Sequence, residues 1–499
     1  MSNEEQTVGK SLAEILAIRR EKLQKIRELN YQPFEYRFER THTARQILDN
    51  YDELAEKIVV KTAGRLMSIR KMGRASFCHL QDENARLQVY FQENTLGTQA
   101  YQLFGLLDIG DFIGVTGKVF RTRTGEITVF AEQLTLLAKN LRPIPIVKEK
   151  DGTVFDAFTD KEQRYRQRYL DLIVNPDVRQ IFKTRSQIIQ LTRQFLNERG
   201  FLEVETPVLQ PIYGGAFARP FKTHYNALDR DFYLRIADEL YLKRLIIGGF
   251  EKVYEIAKNF RNEGIDRNHN PEFTALEFYQ AYADYNDMMM LVEDYFKFLA
   301  NQLGIAEVNF EGQVINLQQP FARRTMFELL KQYVGVKIQG LSEEELKSIC
   351  QNKHLELEPG VSYGKLIELL FDNFVEPHII QPTFVLDYPK AISPLAKTKR
   401  DGQTDLVERF ELYIAGREFV NAFSELNDPL DQRERLESQT RLRELGDEEA
   451  QNMDEDFVTA MEYGMPPTGG VGIGIDRVVM LFTNQSSIKD VILFPHMRT

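Results

Sequence analysis

The chain has 499 residues, 43% of them hydrophobic and 27% charged, with a formal net charge of −11. That is an ordinary globular balance, so disorder and collagen-like repeats are excluded, and roughly 100–200 residues per domain predicts two or three domains. The acidity argues against general coating of nucleic acid but leaves room for a local basic site.

No apolar run reaches the about 18 residues a membrane span needs. The polar start, Met1 to Gln6, matches neither a signal peptide nor an Arg-rich transit peptide. Cys78 and Cys350 cannot build a disulfide framework, and no Cys/His cluster has zinc spacing. Together these features predict a cytoplasmic protein without a membrane partner.

Residues 1–58 read as a helical segment. Within it, Leu12, Ile15, Leu16, Leu23 and Ile26 recur near helical spacing over 10–29. Arg19, Arg20, Lys22, Lys25 and Arg27 crowd the rest of that helix, the pattern of a solvated face. Residues 59–143 carry short alternating runs broken by Gly64, Gly73, Gly110, Gly117 and Gly125. Five such runs fit a small Greek-key barrel of the oligonucleotide-binding (OB) type. Lys61, Arg65, Arg70, Lys71 and Arg74 lie in a stretch with no acid between 61 and 80, and Phe77 and His79 follow. Cations beside an exposed aromatic suit a single nucleic-acid strand, which offers phosphates and a stacking base. A barrel-core Phe with ordinary surface cations fits the same stretch equally well.

Residues 144–175 read as a linker, interrupted by Pro145 and a charged stretch at 148–152. Residues 176–499 form the large domain. Asn175 suits a cap, Pro176 the first helical position and Gly200 the stop. From Phe201 onward, strands and helices mix without βαβ alternation, which predicts an α+β fold on a largely antiparallel sheet. Residues 340–375 read as a helical insertion, and 431–457 as acidic, helical and solvated.

Three stretches carry candidate chemistry. In the first, residues 250–282, a strand leads through Arg261 and a polar loop, with His269, to a second strand from Phe273. Side chains alternate faces along a strand, so Phe273, Glu277 and Tyr279 share one face. An aromatic, an acid and a phenol in line suit a concave binding surface; a solvent-facing hairpin is the plainer alternative. In the second, residues 407–428, Ala415-Gly416 marks a hairpin turn and four acids crowd a short β region: Glu408, Glu411, Glu418 and Glu425. Two carboxylates near phosphate oxygens are the usual way to hold Mg²⁺. Asn421, Phe423 and Glu425 share a face, but Glu418 has the wrong parity to join them unless the strand bulges. In the third, residues 469–482, Gly470, Gly472 and Gly474 fall on one strand face, where a ligand can lie against bare backbone. Asp476 is then expected to cap a helix whose first turn presents Arg477 to phosphate. Close helix–strand packing would also account for the glycines. The spacing is not a dinucleotide fingerprint, since Ile475 stands where a glycine is required.

In order and at these separations, these stretches resemble the signature motifs of the class II aminoacyl-tRNA synthetases. Residues 200–207 resemble motif 1, residues 260–263 with their loop motif 2, and residues 472–477 motif 3. The match is closest to the lysine-specific members, through residues 214–221, 235–245, 261–285 and 416–429. The resemblance implies an N-terminal OB barrel followed by a catalytic domain on an antiparallel sheet flanked by helices. It further implies attachment of L-lysine to tRNA(Lys) through a lysyl-adenylate made from ATP, with Mg²⁺, in a homodimer.

The roles carried by the resemblance attach to particular residues. Arg261 and Arg477 are the implied catalytic residues. Arg261, Glu263, His269, Asn270, Phe273, Asn421, Gly472 and Arg477 would bind ATP. Gly215, Glu239, Glu277, Tyr279, Asn421, Phe423 and Glu425 would bind lysine, with Glu425 and Tyr279 at its ε-ammonium. Glu411 and Glu418 would hold the metal. Arg70, Phe77, Gln88 and Glu126 would read the anticodon. Phe217 departs from the family, whose members often carry a small residue there. Buried acceptors suit a distal ammonium. The strands 273–282 and 419–426 contain no Arg or Lys to meet an aspartate side chain. Aspartyl- or asparaginyl-specific enzymes, a lysyl transferase acting on protein and a non-catalytic tRNA-binding paralogue are the alternatives.

Overall fold

The computed structural model describes residues 10–145, 148–150, 153–155, 158–357, 360–444 and 451–498. The chain divides into two compact units, residues 1–159 and 160–499.

In the first unit, helix α1 (Leu12–Glu28) opens with a capping box between Ser11 and Glu14. Five strands follow: β1 (Val59–Met72), β2 (Ala75–Gln81), β3 (Arg86–Gln92), β4 (Phe112–Arg121) and β5 (Ile127–Ala138). They close into a barrel in the order β1-β2-β3-β5-β4. Closure needs tight approaches: a Cβ on Gly117 would run into the Phe130 carbonyl. Alternate residues of β2 and β3 point inward onto a core that includes Ile26, Leu66, Val89, Phe91 and Phe104. Each such side chain contributes about 1.5–3 kcal/mol when fully buried.

The expectation of a solvated basic face on α1 is corrected at two positions. Arg19 is buried and donates to Asn140 Oδ1 at 2.5 Å, and Lys22 pairs with Asp108 at 2.6 Å. Asp108 is shared with the buried Lys139, which also holds Asp111 at 2.8 Å. One face of the helix therefore docks on the barrel through ions, because the barrel supplies matched partners for them.

The second unit begins earlier than the linker reading implies. Residues 161–166 and 168–174 are helical, and Arg168 is the anchor. Its guanidinium is 1% exposed, holds Asp171 at 2.5 Å and donates to the carbonyls of Lys489 and Leu493 at 3.0 Å. Helix α2 (Pro176–Asn197) precedes a short strand β6 (Leu202–Glu203) and helix α3 (Glu239–Ile247). Then come β7 (Lys252–Phe260), β8 (Glu272–Ala281) and helix α4 (Tyr285–Leu303). Strands β9 (Ala322–Thr325), β10 (Thr383–Pro389), β11 (Leu406–Ile414), β12 (Arg417–Ser424) and β13 (Thr468–Gly474) follow, and helix α5 (Ile475–Thr483) packs last.

These strands form one sheet in the order β9-β10-β11-β12-β13-β8-β7-β6. The six central strands are antiparallel, and each edge strand, β9 and β6, pairs parallel with its neighbour. Helices α2, α4 and α5 cover one face, with Ile188, Phe296, Val479 and Leu481 in the shared core. Residues 343–352 and 363–374 are helices that pack with residues 326–334 in a separate core. The expected solvated helix at 431–457 is also corrected. Residues 429–444 and 455–462 are helical, and Leu436 and Phe457 are buried against Leu240 and Leu395; residues 445–450 lie outside the described set. Among the described residues, no helix is long and apolar enough to cross a membrane.

Candidate active site

In the barrel, pairing places the four residues named for anticodon reading close together. Arg70 is opposite Phe77, His79 is opposite Gln88, and Gln88 is opposite Thr128. Gln88 donates to Glu126 at 2.6 Å, and His79 Nε2 lies 3.0 Å from the same carboxylate. Ser68 Oγ holds the other ring nitrogen of His79 at 2.8 Å. Phe77 is half-buried, with its ring centroid 4.7 Å from that of Tyr90, so it sits at the surface and not in the core. His79 and Tyr90 are the parts that pattern reading left unassigned.

In the second unit, the solvent-side face of the sheet forms a cavity of about 410 Å³. Cross-strand register builds it in rows. Glu411, Asn421, Gly472 and Glu277 lie side by side across β11, β12, β13 and β8, and Arg409, Phe423, Gly470 and Tyr279 form the next row. The glycines hold the floor open: a Cβ on Gly470 would meet both the Glu425 carboxylate and the Tyr279 ring. The turn feeding β12 has Ala415 and Gly416 at φ 51° and 66°, the left-handed pair that a two-residue hairpin needs.

The parity problem at Glu418 is solved by a bulge. Leu412 pairs with Val420 but Tyr413 pairs with Glu418, so Phe419 is the extra residue. Glu418 thereby lands on the face of Glu411 and Asn421. Glu411 accepts from Arg409 at 2.6 Å, Tyr388 at 2.8 Å and Tyr413 at 2.7 Å. A carboxylate offers about four acceptor positions, so one remains for a cation. Burial, then Glu418 nearby, pushes Glu411 up while Arg409 pulls it down. Among the described residues, no three His, Cys, Asp or Glu side chains are arranged to hold a metal alone. A metal here would need further oxygens from water or a bound ligand.

The cationic end is distinct. Arg261 lies over the Phe273 ring at 5.0 Å and reaches the Ile236 carbonyl with Nε at 3.5 Å. Burial lowers its pKa, while Glu263, Glu418 and Glu277 oppose that shift. Arg477 donates to the Glu418 carbonyl and lies 3.3 Å from its carboxylate. Asp476 is not the cap expected for α5. Gly474 holds that position, and Asp476 accepts the Thr274 N–H at 2.7 Å and pairs with Arg185 at 2.6 Å, tying α5 to β8 and α2. On the loop before β8, Asp266 positions His269 Nδ1 at 2.9 Å, and Glu263 is exposed. Asn270 lines the cavity but is buried, with its amide used on the Glu272 carbonyl (2.5 Å) and the His496 N–H (3.3 Å). Phe217 lines the mouth and is 40% exposed, so it does not point into the core.

The opposite end is acidic and closed. Glu239, Glu277 and Glu425 are all buried. Tyr279 donates to Glu277 at 3.0 Å, and Asn259 donates to the buried Asp238 at 3.2 Å. Burial, then the charges of Asp238 and Glu239, pushes Glu277 well above the carboxylate range. Burial likewise raises Glu425. Gly215, at φ 86°, passes so close to Glu239 that a Cβ would lie 3.1 Å from that of the acid.

The absence of Arg and Lys from strands 273–282 and 419–426 does not extend to the cavity as a whole. Arg409 enters from β11 and donates to Asn421 at 3.0 Å. Lys243, from α3, does not line the cavity but stands fully enclosed behind its wall, 2.5 Å from Glu239 and in an ion pair with Glu425. Both cations are spent on acids or amides of the site. Lys243 stands four residues after Glu239, a spacing that identifies a helical pair but not its burial.

Residues 160–498 match the family described as tRNA synthetases class II (D, K and N), and residues 60–137 match the OB-fold nucleic acid binding domain. A lysine–tRNA ligase of Pelotomaculum thermopropionicum is 56% identical over 98% of this chain and 95% of its own length. Those of Carboxydothermus hydrogenoformans and Porphyromonas gingivalis are 54% and 50% identical over 98% of this chain, covering 98% and 86% of their own lengths. By its two matched domains and these near-full-length similarities, the chain belongs to the class II aminoacyl-tRNA synthetases, within the lysine–tRNA ligase family.

Proposed function

We propose that the cavity activates L-lysine with ATP and passes it to tRNA(Lys). The observation that carries this reading is the buried acid at its closed end: Glu425 Oε1 has no hydrogen-bond partner there. A buried acceptor left open costs about 1–3 kcal/mol, more when charged, and a substrate ammonium would recover that cost. Glu425 with Tyr279 would take the lysine ε-ammonium, Glu239 with the Gly215 backbone its α-ammonium, and Phe423 its methylenes.

In the first step a lysine carboxylate oxygen attacks the α-phosphorus of ATP. The bond from that phosphorus to the β-phosphate breaks, and pyrophosphate leaves. Arg261 would bridge the carboxylate and the α-phosphate, holding both reactants in line, where positioning and charge neutralisation supply most of the rate. Phe273 would stack on adenine and Glu263 accept from its amino group. His269 and Arg477 would meet the outer phosphates, and Asn421 and Gly472 the bound nucleotide. Asn270 would act by holding the loop rather than by touching ATP. Mg²⁺, held by Glu411 and Glu418, would neutralise phosphate charge. In the second step a hydroxyl of the 3′-terminal ribose attacks the lysyl carbonyl and AMP leaves. Phe77 would stack on an anticodon base, with Arg70, Gln88 and Glu126 around it.

We also infer a homodimer through the edge of the sheet at β6, where Leu202, Val208, Leu209, Ile212 and Leu228 are exposed. The reaction would run in the cytoplasm, where its tRNA is used. The test of the activity is amino-acid-dependent ATP–pyrophosphate exchange with Mg²⁺ across the twenty amino acids. Exchange with lysine alone is expected. Exchange with aspartate or asparagine would overturn the pocket assignment, and none at all would overturn the activity.

A further inference from the structure

Behind the acidic end of the cavity lies a group that no step above uses. Lys243 is 0% exposed and closed in by aromatic rings, with Phe423 at 5.4 Å and Phe457 at 6.0 Å from its ammonium. It contacts Glu239 through Oε1 and Glu425 through Oε2. The other oxygen of each acid remains on the substrate side. Glu239 Oε2 lies near Gly215, 3.7 Å from where a Cβ would stand. Glu425 Oε1 faces Gly470 and has no hydrogen-bond partner. One internal ammonium thus divides two carboxylates, holding an oxygen of each and leaving an oxygen of each to the ligand.

We infer that Lys243 is a positioning residue that acts as a length gauge: by pinning Glu239 and Glu425 to one ammonium, it sets the distance between the acceptors for the two ends of the amino acid. This rests on the assignment of those two acids to the α- and ε-ammonium groups.

A glutamate side chain turns about three bonds, so an unpinned acid could follow a shorter or longer substrate. A buried ion pair holds geometry because leaving either charge unpaired in the interior is costly. With the pin in place, a diamine one methylene shorter reaches one acceptor and misses the other.

The experiment measures ATP–pyrophosphate exchange with lysine, ornithine and homolysine, in the full-length protein and in Lys243→Met and Lys243→Arg. Thermal melting checks that each variant is folded. The ratio of kcat/KM for lysine over ornithine is expected to fall at least tenfold in Lys243→Met. Lys243→Arg keeps the charge but moves it further from the helix, so it should also fail to restore the ratio. If Lys243→Met does not fold, Lys243→Arg alone decides. Equal losses for all three substrates would reduce Lys243 to a structural ion and overturn the gauge. Glu425→Gln tests the underlying assignment separately: unchanged lysine KM there overturns the assignment, whereas a raised KM with an unmoved ratio at position 243 overturns only the gauge.

Discussion

The barrel face and the synthetase cavity both present carboxylates, but in opposite solvation. The Glu126 side chain is 46% exposed and shares hydrogen bonds with His79 and Gln88, so water can replace any partner it loses. The Glu425 side chain is 0% exposed, with one ion pair and one open oxygen. Exposed pairs are worth about 0–1 kcal/mol, whereas breaking a buried pair costs about 3–5 kcal/mol. The barrel can therefore adjust recognition by small steps. The cavity has to be right in every member at once, because its buried groups share ion pairs.

The strongest attempt to break this contrast is Arg261→Ala. Removing a preorganised charge from a developing one costs about 10²–10³ in rate, so exchange should fall by that factor with the fold intact. A loss under tenfold would place Arg261 outside the reacting centre. Next is Glu425→Gln, which removes a charge-assisted contact of about 1.5–3 kcal/mol. Lysine affinity, measured by calorimetry, should fall by about one to two decades while ATP binding holds.

The same acid makes a pH prediction. Burial raises Glu425 although the Lys243 ammonium pulls it down, so a fraction of it carries a proton in the empty cavity, and a second ammonium favours the carboxylate further. Lysine binding should therefore release a proton, and affinity should rise with pH across the neutral range, where the ligand ammonium (pKa about 10.4) stays charged. Calorimetry in buffers of different ionisation enthalpy reads this directly, and proton uptake would contradict it. The smallest expected effect belongs to the barrel. Phe77→Ala should remove about 1–3 kcal/mol of base stacking, seen as weaker tRNA charging with exchange untouched. Equal loss in both assays would deny Phe77 a stacking role and erase the contrast.

What pattern reading captured and missed follows the same divide. Alternation, turn glycines and the Ala415-Gly416 pair are local, and they predicted the barrel, the hairpin and the glycine face on which the cavity is floored. The motif resemblance drew Arg261, Glu411 and Arg477 toward one cavity, and all three line it. The buried ions were hidden. Arg19 and Lys22 look like solvated helix residues until Asn140 and Asp108 arrive from far along the chain. Lys243 looks like the outer half of a helical ion pair until Glu425 closes over it. Arg168 sits in what reads as a linker and anchors the second unit through carbonyls more than 300 residues later. A cation's burial depends on distant partners, and no local period records that.

The bulge at Phe419 makes strand β12 out of phase with itself: Glu418 and Asn421 share a face although three positions apart, where an unbroken strand needs an even step. If the pairing ran on regularly at the same length, Tyr413 would meet Phe419 and Glu418 would turn away from Glu411 without any change in its own identity. The acid is placed by a local defect in the ladder and not by the alternation of the strand. A substitution that irons out the bulge would therefore remove Glu418 from the site as surely as replacing it, even where the changed side chain touches no ligand.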